Sequence, residues 1–537
     1  MKKMSCSPYT MIGRKGCLIC LVILISNSSD LYSAGHANEK RLLQECEAFN
    51  KGDHLRKTIK KTVTAEIDTK AISIKNISFG FNMSYTFSKK KLGYYPLVDI
   101  KKYSELFTMD ALRFPGGTVG NYFDWNSMSL KYEWNAFKPK KSVKNLYEKH
   151  AALSKRKELQ ANITSFFSVI KEFRLRPFIV LNLYTQNLND TISAIDKVKE
   201  IYNKKIYWEL GNELDYYEYS FKLSDERWSV ESYARHSAVI AKHIKDNYPE
   251  DEVGIVAGDI LFEKSLFDFQ NIKHRINHKE YWNKRVSEVK NVDAVIYHPY
   301  LRTFNKDKWR YTDIYNKLGE NCVDYLNYMW LLAASDLYPK KYRTISRSHF
   351  AGKKKWLTEL GIISHNNNTQ ALLGLPGIRT LLLINYYISW LKTSDNVEAI
   401  LYHILGKGKG QSVTNKLDGD MNENGTALNI VSDLLEHADS VKSLIFDDGD
   451  TLNGVARLKS HSFKSLNGIV VRSKNERCII LIINLSPTTE YSVSGLKSML
   501  GRKLYQLSTK AFKKINEEHN SNNNVVVPPM SIIYVQV

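Results

Sequence analysis

Cysteine is scarce in this chain: there are six in 537 residues, and Cys6, Cys17 and Cys20 fall near the start. The remaining Cys46, Cys322 and Cys478 are scattered, which excludes a disulfide framework and a thiolate metal site; one bridge with a free thiol, or no bridge, stays open. Long apolar runs are equally rare. One stretch, 17–25, follows Arg14 and Lys15 and precedes small and polar residues through Ala37, the three-part layout of a secretory signal. It is about half the length of a membrane span. Cleavage after Ala34 or Ala37 is expected, with a retained signal anchor as the alternative. The expectation is therefore a secreted or lumenal protein that does not require a membrane. No zinc-finger spacing or RNA-binding aromatic signature is present, so no nucleic-acid partner is expected. No motif asks for a metal, nucleotide or redox cofactor, and no internal repeat is evident.

Acidic side chains are the minority, 56 against 77 basic ones, for a formal charge of +21. Local lysine runs occur at 89–91, 138–141 and 353–355. A basic surface concentrates polyanions such as uronic-acid or sulfated polysaccharides; the plainer reading is a solvated lysine face. With 43% hydrophobic and 12% aromatic residues the chain can bury a large core and a smaller second unit. Asn-x-Ser/Thr acceptors at Asn76, Asn82, Asn162, Asn189, Asn367, Asn424 and Asn484 suit a secretory route.

From 77 to 405 short apolar or β-branched runs alternate with longer segments of helical period. The runs 77–82, 111–115, 177–183, 206–212, 253–259, 292–298, 355–359 and 397–401 make eight strand candidates, with helices between them at 190–202, 230–247 and 370–391. Eight β/α units predict an α/β fold, a closed (β/α)8 TIM barrel over 77–435. The rhythm then changes. Runs at 468–473, 477–484 and 531–537, separated by turn signals, predict a C-terminal antiparallel β-sandwich over 436–537. The segment 38–76 contains a strand at 63–74 that is expected to join that sheet. The Lys-rich connection 126–157 is a candidate lid, and 520–524 is a polar loop.

Two windows carry the chemistry. In Tyr207-Trp208-Glu209-Leu210-Gly211-Asn212-Glu213 and in Trp356-Leu357-Thr358-Glu359-Leu360-Gly361 an apolar run ends abruptly on a carboxylate. Strand ends share one mouth in a barrel, so Glu213 and Glu359 are expected to face each other there. Two opposed carboxyls, one protonated and one ionised, are the minimal equipment for cleaving a glycosidic bond. Glu213 is assigned as acid and base, and Glu359 as nucleophile. Arg113, in Leu112-Arg113-Phe114-Pro115-Gly116-Gly117-Thr118, is expected to enter the mouth and keep Glu359 ionised. Asn212 is placed to donate to a sugar 2-hydroxyl. His298 and Tyr300, in Tyr297-His298-Pro299-Tyr300, and Asn182 at the end of the third strand are further substrate-binding candidates. Glu209, on the same face as Glu213 but deeper, reads as structural.

The order Arg-Phe-x-Gly-Gly-Thr, Trp-Glu-Leu-Gly-Asn-Glu, His-x-Tyr and Trp-Leu-x-Glu resembles that of clan A retaining glycoside hydrolases, most of all heparanase-type endo-β-glucuronidases of glycoside hydrolase family 79. The resemblance covers roughly 63–537 and implies a barrel paired with a β-sandwich, Glu213 as acid/base, Glu359 as nucleophile and an acidic glycan such as heparan sulfate as substrate. The chain departs from that family after the nucleophile: 362–368 lacks the glycine-rich loop that holds a uronate carboxylate. Lys407-Gly408-Lys409-Gly410 offers cations and flexible backbone instead. The insertion at 126–157 is also shorter, so excision of a linker does not follow from the resemblance. Clan A arabinofuranosidases share Arg-Phe-Pro-Gly-Gly and Gly-Asn-Glu-x-Asp, both present here through Pro115 and Asp215, but usually place Asp-Glu-Trp where this chain has Thr358-Glu359-Leu360. Alternatives are an exo-glycosidase of arabinofuranosidase or β-glucuronidase type, or a catalytically silent glycan-binding protein. A monomer is expected.

Overall fold

The computed structural model describes residues 58–83, 97–130, 163–215, 229–258, 269–302, 320–363, 377–405 except 394, 413, 421–456 except 437, 459–496 except 474–476, 503–508, 512–515 and 524–536. The proposed signal 1–37, most of the 126–157 connection, Lys407 to Gly410 and most of 362–368 and 520–524 lie outside them.

After β1 (Ile59–Ser73), strands and helices alternate: β2 (Ser78–Asn82), α1 (Leu97–Leu106), β3 (Ala111–Phe114), α2 (Ile163–Phe173), β4 (Arg176–Val180), α3 (Leu188–Ile201), β5 (Tyr207–Leu210) and α4 (Val230–Asn247). The series continues with β6 (Glu252–Val256), α5 (Phe269–Ser287), β7 (Ala294–Tyr297), the short continuation β8 (Tyr300–Arg302), α6 (Glu320–His349), β9 (Lys354–Ile363), α7 (Ile378–Lys392), β10 (Val397–His403) and α8 (Glu423–Leu435). Helix starts are marked by side-chain caps: Asn187, Ser229 and Asn422 accept from backbone N–H groups of the first turns of α3, α4 and α8.

Strands β2, β3, β4, β5, β6, β7, β9 and β10 pair in parallel in that order, and β10 pairs with β2 to close the barrel. This is the predicted (β/α)8 architecture. Each strand is covered on both faces, by the barrel interior and by helices, so each reads as an apolar run rather than an alternation. The third, fourth and fifth predicted runs extend past the ladder, to 183, 212 and 259, because the chain leaves the sheet there to build the mouth. Strand β9 instead runs on to Ile363, since β8 pairs with its end. The 30-residue α6 was not among the foreseen helices.

The barrel floor is aromatic. Phe178 and Tyr207 stack with centroids 4.7 Å apart, and Trp356 stands edge-on to both. A Cβ on Gly254 would lie 2.5 Å from the Trp356 ring, so only glycine leaves room for the indole. Below it, Lys205 and Lys354 both pair with Glu252, at 2.5 and 2.7 Å, and Lys354 also pairs with Glu398 at 2.7 Å.

The second sheet contains β11 (Ala438–Phe446), β14 (Leu466–Ser473), β15 (Cys478–Asn484), β16 (Thr489–Ser494), β17 (Lys503–Ser508), β18 (Phe512–Ile515), β19 (Val525–Val527) and β20 (Ser531–Gln536); β12 (Thr451–Ala456) and β13 (Lys459–Lys464) form a separate hairpin. The strand preceding the barrel joins it: β1 runs antiparallel to β11 and parallel to β16. Every other pairing in this sheet is antiparallel. Alternate residues of β15 explain its unbroken apolar sequence. Ile480 and Ile482 join the core of the second sheet, while Ile479, Leu481 and Ile483 belong to the barrel-side core. Tyr328 of α6 donates to Leu485 O at 2.9 Å, and Lys392 of α7 to Asn467 Oδ1 at 2.8 Å, tying the two units together.

Candidate active site

Arg113 leaves the end of β3 fully buried and is held by carboxylates on two sides. Its Nε and Nη2 donate to the two oxygens of Glu209 at 2.8 and 2.9 Å, and its Nη1 donates to Glu359 Oε1 at 2.6 Å. A fourth bond, from Nη2, goes to Asn212 Oδ1 at 2.9 Å. Burial opposes the guanidinium charge, but Glu209 and Glu359 outweigh it and raise the Arg113 pKa. The Phe114-Pro115 peptide is cis, and Gly116 and Gly117 follow with φ of 71° and 57°. Gly116 has no room for a side chain, and the positive φ at both positions favours glycine. A Cβ on Gly116 would sit 2.0 Å from Asn82 Oδ1, and one on Gly117 would lie 3.7 Å from Glu359 Oε1, facing the carboxylate.

Glu359 lies where β9 breaks its own pattern. Trp356 points into the barrel and Thr358 does too, so strict alternation would turn Glu359 outward. The β9–β10 register shifts between Leu357 and Leu360, and the Glu359 carboxylate turns to the mouth. Its Oε1 accepts from Arg113 and its Oε2 accepts from the Tyr300 hydroxyl at 2.5 Å. The Nδ1 atoms of His298 and His403 stand 3.9 and 3.8 Å from Oε2. Burial alone would raise the carboxyl pKa. The charges of His298, His403 and Arg113 and the Tyr300 hydrogen bond overcome it and hold Glu359 well below the usual carboxylate range.

Glu213 follows a tight turn after β5, with φ of 89° at Gly211 and 50° at Glu213 itself. The turn is braced from three sides. Tyr233 donates to Leu210 O at 2.7 Å and accepts from Val256 N at 3.1 Å. Asn121 closes a two-bond pair with the Asn212 backbone at 2.7 and 3.0 Å, and Lys279 pairs with buried Asp215. Glu213 stays partly open, its side chain 19% exposed, with Oε1 3.2 Å from His298 Nδ1. Oxygens of Glu213 and Glu359 and a His298 nitrogen all lie within 4.8 Å of one another.

Such a trio has the composition of a metal site. Its environment argues otherwise: both Glu359 oxygens are already engaged by Arg113 and Tyr300, and a guanidinium 2.6 Å away repels a second cation. His298 is buried, which lowers its pKa, yet the Glu359 and Glu213 carboxylates more than compensate and raise it. His403 goes the other way, lowered chiefly by burial.

Of the residues named from the sequence, Arg113, Asn212, Glu213, His298, Tyr300 and Glu359 converge on this mouth. Asn212 Nδ2 is buried with no hydrogen-bond partner among the described residues, a donor left over once Arg113 has taken Oδ1. Asn182 does not join them. Its Nδ2 donates to Phe123 O and Thr185 Oγ1, and its Oδ1 accepts from Tyr184 and Thr185 N, so it shapes the loop after β4. Sequence reasoning missed Asn121, Thr358, His403 and Asn82. Asn82 Nδ2 lies 2.8 Å from His403 Nδ1, and both residues end barrel strands, which was the available signal.

No protein-family model matches this sequence, and no curated protein does. Solved structures are similar in fold. A family 51 α-L-arabinofuranosidase from Bifidobacterium longum matches with a TM-score of 0.62 and 14% identity, covering 89% of this chain and 100% of that one. The α-L-arabinofuranosidase of Thermotoga maritima gives 0.56 and 13%, covering 89% and 100%. A 4-O-α-L-rhamnosyl-β-D-glucuronidase from Fusarium oxysporum gives 0.51 and 11%, covering 89% and 98%. The chain thus shares the barrel-plus-sheet fold of glycoside hydrolases across most of its length.

Proposed function

We propose that this protein is a retaining glycoside hydrolase in which Glu359 is the nucleophile and Glu213 the acid and base. The observation that carries the reading is the carboxylate pair: oxygens of the two groups lie within 4.8 Å. Retaining enzymes hold their carboxyls about 5 Å apart, whereas inverting ones need roughly 6.5–9.5 Å to admit a water. Arg113 and Tyr300 hold Glu359 ionised. In the first step Glu359 attacks the anomeric carbon while Glu213 passes its proton to the departing glycosidic oxygen, leaving a glycosyl ester on Glu359. In the second, Glu213 takes a proton from water, whose oxygen displaces Glu359 from the anomeric carbon. The unpartnered Asn212 Nδ2 is the donor for the sugar 2-hydroxyl, a bond that strengthens as positive charge develops on the ring.

For the substrate, the reading is a β-glucuronide linkage in an acidic glycan such as heparan sulfate. The motif order and the +21 formal charge support it, as does the fold shared with a β-D-glucuronidase. A specific observation favours a second reading: the arabinofuranosidase folds superpose with the higher TM-scores, and Arg113-Phe114-Pro115-Gly116-Gly117 carries the resemblance to that group noted from the sequence. Incubating the purified protein with heparan sulfate, an aryl β-glucuronide and an aryl α-arabinofuranoside separates them. Shortened heparan sulfate chains with saturated ends are the expected result. Release of aryl alcohol from one small glycoside alone would assign an exo-glycosidase of that sugar. Salt-sensitive heparin binding with no cleavage of any substrate would overturn the enzyme reading.

A further inference from the structure

The hydrogen bonds behind Glu213 form a chain whose proton positions can be deduced. Glu209 accepts an N–H group of Arg113 on each of its two oxygens, so it meets its other neighbours as an acceptor. The Thr358 hydroxyl, 3.3 Å from Glu209 Oε2, must therefore donate to it. A hydroxyl has one proton, so Thr358 Oγ1 meets His298 Nε2, at 3.1 Å, as an acceptor, and Nε2 carries a proton. His298 Nδ1 then faces Glu213 Oε1 at 3.2 Å with a lone pair whenever the ring is neutral. A lone pair against a carboxylate is repulsive. That contact becomes favourable only when one proton sits between them, on Glu213 or on the imidazole.

We propose that Thr358 is a positioning residue for the acid step: by fixing the His298 tautomer it makes Glu213 and His298 hold one shared proton, the one delivered to the leaving group. The inference deepens the retaining-hydrolase reading and rests on it. The groups facing His298 are consistent with a single mobile proton. Glu359 and Thr358 come from β9, Glu213 from the turn after β5, and Arg113 and His403 from β3 and β10, while Glu209 of β5 and Tyr300 of β8 act one step removed, on Thr358 and Glu359. Arg113 is bonded to Glu209, Glu359 and Asn212, and Tyr300 donates to Glu359, leaving Glu213 and His298 to exchange the proton. In a Thr358→Val variant Nε2 loses its acceptor. The neutral ring then turns to the Nδ1–H tautomer, donates to ionised Glu213 and relieves the repulsion, so the proton is lost at lower pH.

The test is the pH profile of kcat/KM for the wild type, Thr358→Val and Thr358→Ser, on whichever glycoside the wild type cleaves. Imidazole 15N shifts of His298, assigned by loss in His298→Gln, accompany it. The alkaline limb of Thr358→Val is expected to move down by about one pH unit, the worth of one hydrogen bond, with KM little changed, and Thr358→Ser to restore it. In the spectra, wild-type Nε2 should stay protonated while Nδ1 titrates. A Thr358→Val profile lowered uniformly without a shifted limb, or a wild-type ring in the Nδ1–H tautomer, overturns the proposal. If the wild type cleaves no glycoside, the hydrolase reading fails, and the spectra still decide the tautomer. If Thr358→Val does not fold, the wild-type spectra decide alone: a proton fixed on Nε2 supports the proposal, and one fixed on Nδ1 overturns it.

Discussion

At the floor of the barrel Lys205 and Lys354 alternate with Glu252 and Glu398, two cations against two carboxylates, whereas at the mouth, among the described residues, Arg113 bonds Glu209 and Glu359, and Glu213 adds a third carboxyl within 4.8 Å of Glu359. The floor charges cancel, and both lysines keep 41% of their side chains in water. The mouth is dry around Arg113 and Glu359, and its charges do not cancel. Among the described residues one permanent cation stands with three carboxyls, which leaves room for a proton, held where His298 stands between Glu213 and Glu359. Both ends are polar networks with shifted pKa values, so perturbation by itself does not mark the site. Imbalance, together with the spare amide of Asn212, does.

The largest effect that distinguishes the two ends is expected from Glu359→Gln. It should lower kcat by on the order of 10^5-fold, the scale of losing a covalent nucleophile, while near-ultraviolet circular dichroism stays native. Full turnover in that variant would refute the assignment. Glu213→Ala should cost about 10^2- to 10^4-fold, less for aryl glycosides whose leaving group needs no acid. Added azide should restore turnover and release a glycosyl azide of retained configuration; an inverted product would remove Glu359 as nucleophile.

Stability sharpens the contrast further. Replacing Arg113 with Met strands Glu209 and Glu359 in the interior and should cost about 3–5 kcal/mol in urea unfolding. Lys354→Met at the floor should cost no more than about 1 kcal/mol, because its pairs are partly open to water. Equal costs would show that the floor network is as demanding as the mouth. The smallest effect concerns acid. The folded-state pKa of Glu359 lies well below its unfolded value of about 4.3, so its contribution to stability is fully present above that pH. It is lost as the pH falls below about 4.3 toward the folded value, and Glu359→Gln should flatten the fall in melting temperature in that window. An unchanged slope would mean that Glu359 is not held ionised.

The barrel was legible because parallel strands buried on both faces are apolar throughout, so a carboxylate inside such a run stands out. Tyr207 to Glu213 and Trp356 to Gly361 displayed their carboxylates for the same reason. Asn182 shows the limit of strand-end counting: it lies two residues past the end of β4, and its amide is consumed by the loop it organises. His403 shows the converse, a strand-end residue 3.8 Å from Glu359 that carries no motif.

By itself the sequence determined the number of β/α units, the addition of a strand from before the barrel to the C-terminal sheet, and which two glutamates reach the barrel mouth. These follow from local periodicity and burial, properties that neighbouring residues share. Tertiary structure alone decided that Glu209 orients Arg113, that a register shift in β9 turns Glu359 inward after Thr358, and that Thr358 touches His298. Hydrogen-bond direction depends on atoms within about 3 Å that come from strands far apart in the chain, and no spacing along the sequence encodes that distance.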